Sequence, residues 1–213
     1  MINKKINYIK IGTRGSPLAI WQAKQVLNKI EDGKIIKIKT TADIMVNISL
    51  SEIGGKGLFT RELDQALLKN KIDIAVHSLK DIPTNLSKKI GLTCILPRGN
   101  HEDILIPAKI EWDLLSLPKN SIIGTSSPRR TTQLKILRPD ITIIPIRGNI
   151  HSRLKQLNEK NIDGIILALA GIKRLNIQTN YSILENTSFL PSAGQGIIAI
   201  TYLKNNTKIK NLL

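Results

Sequence analysis

The chain is poor in cysteine, in aromatic residues and in acidic charge, and each shortage removes a class of explanation. Its one cysteine, Cys94, excludes a disulfide within the chain and fits a reducing compartment. Cys94 stands in the apolar run Leu92-Thr93-Cys94-Ile95-Leu96 and reads as a core residue in a strand. The three histidines, His77, His101 and His151, share no metal-ligand spacing with one another or with Cys94, so no metal site is expected. Aromatics make up 3% of the residues, no nucleic-acid motif appears, and the arginines are dispersed over loop ends; nucleic-acid binding is therefore not expected. No apolar run approaches the length of a membrane span, and Lys4 and Lys5 lead into no signal-like apolar segment. The expectation is a cytoplasmic protein without membrane attachment. Only 16 acidic residues face 32 basic ones, a net charge of +16. Much of that excess is lysine scattered through a chain rich in Ile and Asn, the composition an AT-rich coding sequence produces. The fewer, clustered arginines carry more information.

What is present is enough for one sizeable core or two smaller ones: 213 residues, 41% of them hydrophobic. Strand and helix patterns alternate. Tyr8–Ile11 reads as a strand, followed by a helix from Pro17 with Ala19, Ala23, Val26, Leu27 and Ile30 on one face. Strands are expected at 35–39, 72–76, 122–124, 141–145 and 164–168, with helices around Phe59–Leu67, Pro128–Leu137 and Ile150–Asn158. Two fragments recur in the same order. Ile11-Gly12-Thr13-Arg14-Gly15-Ser16-Pro17 echoes Ile123-Gly124-Thr125-Ser126-Ser127-Pro128, and the segment 70–76 echoes 160–166. The expectation is an α/β protein of two similar lobes, 1–98 plus 196–213 and 99–195. Each lobe has a mixed, mostly parallel sheet with helices on both faces, and a cleft lies between them.

Polar groups gather where strands should end. Ser127 is a good N-cap and Pro128 suits the first helical position, which puts Arg129 and Arg130 beside unpaired backbone N–H groups at the positive end of a helix. Cations are unfavourable there unless an anion is bound, so the segment reads as an oxyanion receptor. Arg14 and Ser16 repeat the arrangement. His77-Ser78-Leu79-Lys80-Asp81 follows another strand, Arg147-Gly148-Asn149 with Arg153 another, and Gly194-Gln195-Gly196 precedes the last. Five arginines and a lysine against one obvious carboxylate suit a ligand with several carboxylates or phosphates. Asp81 itself has two readings: a salt bridge to Lys80 or Arg14, or a group that handles protons or stabilises a cation. Gly54-Gly55-Lys56-Gly57 lacks the spacing and hydroxyl of a nucleotide-binding P-loop, and delivery of Lys56 to the cleft is the better reading.

Six blocks together resemble the porphobilinogen deaminase (hydroxymethylbilane synthase) family over essentially the whole chain. They are Thr13-Arg14-Gly15-Ser16-Pro17-Leu18-Ala19, Gly54-Gly55-Lys56-Gly57-Leu58-Phe59, the run from Ala75 through Asp81 to Pro83, Gly124-Thr125-Ser126-Ser127-Pro128-Arg129-Arg130, Arg147-Gly148-Asn149 with Arg153, and Leu190-Pro191-Ser192-Ala193-Gly194-Gln195-Gly196. The resemblance implies two lobes like those of type II periplasmic binding proteins. It also implies polymerisation of four porphobilinogen units, with loss of ammonia, on a dipyrromethane cofactor. Each pyrrole carries an acetate and a propionate. By the family pattern Arg14, Ser16, Lys80, Thr125, Ser127, Arg129, Arg130, Arg147 and Arg153 would bind these carboxylates, and Gln22, Lys56, Ser78, Gly148 and Gln195 are further residues expected to bind substrate or cofactor. Asp81 would be catalytic, facing pyrrole N–H groups and stabilising the azafulvenium-type cation.

The chain also departs from the family pattern. It stops at Leu213, where family members continue into a small third domain whose cysteine tethers the cofactor; the expectation is a monomer, with such a domain supplied separately if at all. Cys94 is not given that role. Ala42 replaces a glycine in the Thr40–Asp43 block, the segment 98–103 has lost most of its acidic and Pro-Arg pattern, and Thr201 stands where an acidic residue is usual. A truncated, non-catalytic remnant and a two-lobed polycarboxylate binder are the alternative readings.

Overall fold

The computed structural model describes residues 8–44 and 57–213, so Lys56 of the expected site lies outside the described residues. The chain divides into two compact units; among the described residues the first takes 8–44, 57–98 and 197–213, and the second takes 99–196.

In the first unit β1 (Ile9–Thr13) leads into α1 (Pro17–Ile30), then β2 (Gly33–Lys37), the short α2 (Thr41–Ile44) and α3 (Arg61–Leu68). β3 (Ile74–Ser78) ends in a 3₁₀ turn, Leu79–Asp81, and β4 (Ile90–Thr93) follows. The second unit has β5 (Asp103–Pro107), β6 (Ile122–Gly124), α4 (Pro128–Leu137), β7 (Thr142–Ile144), α5 (Ile150–Glu159), β8 (Gly164–Ala168), α6 (Leu169–Arg174) and β9 (Ser182–Leu184). β10 (Ile198–Leu203) and α7 (Thr207–Leu212) return the chain to the first unit.

The two five-stranded sheets have one plan. Their orders are β2-β1-β3-β10-β4 and β7-β6-β8-β5-β9. In the first, β1 pairs in parallel with β2 and β3, while β10 runs antiparallel to β3 and β4. In the second, β6 is parallel to β7 and β8, while β5 is antiparallel to β8 and β9. In each sheet the fourth strand runs antiparallel to the strands on both sides of it.

Strand alternation sends side chains to both faces. In β3, Ile74 and Val76 join Ala23, Val26 of α1 and Ile209 of α7, whereas Ala75 joins Leu63, Ala66 and Leu67 of α3. In β8, Ile165 and Leu167 pack with Leu157 and Ile172, and Ile166 packs with Leu134 and Phe189. Both sheets are therefore covered by helices on two faces, as in the α/β class expected.

The second echo has a specific cause. Asp73 bonds Lys10 through both its backbone N–H (2.9 Å) and its carboxylate, which accepts from the Lys10 N–H at 2.8 Å. Asp163 does the same to Ile122, at 2.8 and 2.7 Å. Each aspartate ties the approach to its strand onto the strand beside it. This moves β3 two residues later than the 72–76 expected, so His77 and Ser78 lie inside the strand rather than after it. β2 and β7 are likewise shifted or shortened relative to 35–39 and 141–145.

Cys94 corrects another expectation. β4 ends at Thr93, and Cys94 is exposed. β4 is an edge strand, so its apolar run is only half covered, and Leu92 is exposed too. Burial raises the Cys94 thiol pKa somewhat above the ordinary value.

Candidate functional site

In the first unit the turn after β1 begins α1 with Ser16 as N-cap, its hydroxyl accepting from the Ala19 N–H, and Pro17 in the first turn. That leaves a 14-residue helix with no acidic residue in its opening turn. Beside it, Leu79 N–H bonds the Ile197 carbonyl and Ile82 N–H bonds that of Leu79, which fixes the 3₁₀ turn carrying Asp81. Arg14, Ser16, Gln22, His77, Ser78 and Asp81 line one pocket, with Phe59 among its apolar walls. Lys80 is exposed and does not line it. Gln22 is buried and donates to the Ser78 hydroxyl at 2.9 Å.

Arg14 does not stand as an open fork. Its Nε and Nη2 donate to the two oxygens of Asp43, and its guanidinium lies 4.6 Å from the centre of the Phe59 ring. Asp43 also accepts from Thr40 N–H and hydroxyl. Burial pushes the Asp43 carboxyl up, but Arg14 and Thr40 outweigh it and hold it below the usual range. Arg14 keeps its side chain 22% exposed toward the pocket. His77 is buried, with Nε2 3.1 Å from the Thr201 hydroxyl. Burial, reinforced by the Arg14 charge, lowers its pKa to about 4, so the imidazole is neutral at pH 7.

In the second unit the turns after β6 and β7 leave the carboxyl ends of adjacent parallel strands. Ser127 caps α4, accepting from the Arg130 N–H, and the Thr125 hydroxyl accepts from the Ser127 N–H at 3.2 Å. The Ser126 hydroxyl donates to the Ile146 carbonyl at 2.7 Å, tying this turn to the segment that leads to Arg147. Asn149 caps α5, and Arg153 reaches back from its first turns to the Gly148 carbonyl at 3.0 Å. Gly148 has φ +99°, and a Cβ there would lie 2.9 Å from the Ser152 Cβ, so glycine is required at this turn.

The receptor expected at Arg129 and Arg130 contains an acid that the sequence reading did not place there. An anion is present, and it is internal. Asp103 heads β5 opposite Ala168, the last residue of β8, and is 0% exposed. One of its oxygens accepts from Arg130 Nε (3.2 Å) and Nη2 (2.6 Å), the other from Arg129 Nη2 (2.6 Å). Arg130, itself buried, gives a third bond to the Ile166 carbonyl at 3.0 Å. Gln195 is buried, and its amide nitrogen donates to Asp103 (3.0 Å) and to the His101 carbonyl (2.7 Å). Burial pushes the Asp103 carboxyl up, but Arg130, Gln195 and Arg129 more than offset it and hold the pKa below the usual range. The sequence reading missed Asp43 and Asp103. The one available signal for Asp103 was an acid at the head of the apolar run Ile104-Leu105-Ile106.

These strand-end clusters of arginines and hydroxyls occur in a chain with clear relatives. The profile described as "Porphobilinogen deaminase, dipyromethane cofactor binding domain" matches residues 9–211. The chain belongs to the porphobilinogen deaminase family. The porphobilinogen deaminase of Syntrophomonas wolfei is 42% identical over 212 residues, covering 96% of this chain and 69% of that protein. That of Orientia tsutsugamushi is 44% identical over 211 residues, covering 96% and 70%. The chain therefore spans about 70% of the length of these deaminases. In fold it is similar to a Salmonella typhimurium periplasmic binding protein of high arginine specificity, with a TM-score of 0.51 at 13% identity, covering 96% of this chain and 88% of that one. The architecture is that of type II periplasmic-binding-like domains, and the matching domain of the deaminase family is the one that binds dipyrromethane.

Proposed function

We propose that this chain binds porphobilinogen and dipyrromethane carboxylates and carries the acid–base group of a hydroxymethylbilane synthase, acting as a cytoplasmic monomer. The observation that carries the reading is Asp81, held on a fixed 3₁₀ turn in the same pocket as Arg14 and Ser16. The donor set fits a dipyrromethane. Arg14, the Ser16 and Ser78 hydroxyls and the start of α1 offer positive charge and donors to acetate and propionate groups, and Asp81 offers an acceptor to pyrrole N–H. Bound dipyrromethane supplies the free pyrrole carbon to which the first substrate unit adds. Cys94 does not line this pocket.

The chain's own residues have distinct work. Arg14, steadied by Asp43 and Phe59, orients a substrate carboxylate. Asp81 stabilises the positive charge that develops on porphobilinogen as ammonia leaves, and its carboxylate accepts the proton released from the pyrrole α-carbon. Neutral His77 adds no cation beside that developing charge. Thr125, Ser127 and Arg129, with Arg147 and Arg153, form a second carboxylate-binding group in the other unit.

Two measurements test this. Calorimetric titration of porphobilinogen into the chain should show binding that Arg14→Leu weakens by tenfold or more, about 1.4 kcal/mol. With a cofactor-bearing third domain supplied, Asp81→Ala should abolish tetrapyrrole formation while sparing binding. No binding by the unmodified chain, or retained turnover with alanine at 81, refutes the proposal.

A further inference from the structure

Two adjacent arginines that look equivalent in the sequence are not equivalent in the structure. The Arg130 side chain is 7% exposed and its fork is spent on Asp103 and the Ile166 carbonyl. The Arg129 side chain is 28% exposed. It is held from two sides, by Asp103 at Nη2 and by the Leu190 carbonyl at Nη1, with the Phe189 ring 6.0 Å from the guanidinium. Asp103 is common to both. It accepts four hydrogen bonds from three side chains, and the fourth donor, Gln195, carries no charge.

The charges decide what remains. Two guanidiniums and one carboxylate leave one net positive charge at the N-terminus of α4, and Arg129 is the guanidinium that reaches the surface. Without Asp103, two cations would sit side by side at the positive end of a helix, one of them buried without its counter-ion, which is strongly unfavourable. An external carboxylate would then have to neutralise the buried charge as well as bind.

We infer that Asp103 is a positioning residue for the carboxylate site at the start of α4: it consumes Arg130 as its counter-ion and aims Arg129, so that one guanidinium rather than two meets the ligand. Gln195 steadies Asp103 in that role. The division sets the site's capacity at one carboxylate, and it rests on the reading of this helix start as a carboxylate site.

The test has a readout independent of ligand. The full 213-residue chain is treated with phenylglyoxal, which modifies accessible arginine, and labelling is mapped by mass spectrometry. Arg129 should label and Arg130 should be protected. In Asp103→Asn, Arg130 should approach the labelling rate of Arg129, and porphobilinogen affinity should fall roughly tenfold or more, the loss expected for a hydrogen bond to a charged group. Asp103→Glu, which restores the charge, should recover protection of Arg130. Should the asparagine variant fail to fold, Gln195→Leu keeps the carboxylate and removes one support, and Arg130 labelling should then rise several-fold. Equal labelling of the two arginines in the unmodified chain overturns the inference, as does a folded Asp103→Asn variant with unchanged labelling and affinity. If the labelling follows Asp103 but porphobilinogen binds to no variant and does not shield Arg129, the positioning role stands and the carboxylate-site reading falls.

Discussion

Replacing His77 with glutamine should remove a specific part of the chain's acid sensitivity. His77 is buried in β3 against Thr201 and near Arg14, and its pKa is lowered from 6.5 to about 4. Between those values the unfolded chain holds a proton that the native chain does not, so stability falls as pH falls. At pH 5 an unfolded imidazole is almost fully protonated and the native one only about a tenth, which makes the loss relative to pH 7.5 roughly 2 kcal/mol, rising to about 3 kcal/mol below pH 4. Glutamine keeps a hydrogen-bonding group beside Thr201 without the titration. Urea denaturation of both proteins at pH 7.5, 6.5, 5.5 and 5.0 gives the difference in unfolding free energy at each pH. Using the difference matters because other groups titrate in the same window. The difference should shift by roughly 2 kcal/mol in favour of glutamine from pH 7.5 to 5.0. A difference that stays flat across this range would refute the claim that the native imidazole is held neutral by burial.

Asp64 should act in the opposite sense. Burial raises its carboxyl to about 6, so the native chain holds the proton more tightly and gains stability as pH falls through 6. The group is only partly buried; discounted for solvent screening, Asp64→Asn should stabilise by about 1 kcal/mol at pH 7.5, with the gain gone by pH 4 in the same urea assay. Arg130→Met should destabilise by about 3 kcal/mol, because it removes the main counter-ion of a buried carboxylate and a donor to the Ile166 carbonyl. Arg129→Met, at a part-exposed end of the same network, should cost no more than about 1 kcal/mol by urea midpoint.

Much of the local structure was legible because its causes are local. Ser16-Pro17 and Ser127-Pro128 start helices by capping chemistry that needs no tertiary context, and α4 begins and ends where the pattern indicated. The echo between 70–76 and 160–166 was visible as letters, and the structure supplies its reason in the twin hooks of Asp73 and Asp163. The antiparallel strands were harder. Thr201 pairs with Ala75 and Asp103 with Ala168, across separations that no periodicity within either segment reveals. The fate of Arg130 was illegible for the same reason: its partner lies 27 residues away, on a strand reached only through the sheet order. Cys94 was misread because apolar neighbours do not say whether a strand lies at an edge.

The repeated scaffold also locates where the two units diverge. Gly12 pairs with Ala75 and Gly124 with Ile165, so the two strand-to-helix turns leave equivalent points of equivalent sheets. Asp103 faces Ala168 at the end of β8, and the matching position in the first sheet is Ile198, facing Ser78 at the end of β3. The first sheet therefore offers no carboxylate where the second has one. Its arginine takes a counter-ion from α2 instead, and Gln22 and Ser78 bond each other near the equivalent helix start. The same sheet plan thus leaves Arg14 balanced one-to-one by Asp43 but leaves Arg129 and Arg130 balanced two-to-one by Asp103. Among these paired groups the uncompensated charge lies in the second unit, while Asp81, the proposed acid–base group, lies in the first. Anion affinity should therefore respond more to substitutions around Asp103, and proton transfer more to those around Asp81, even though the two sites stand on the same fold.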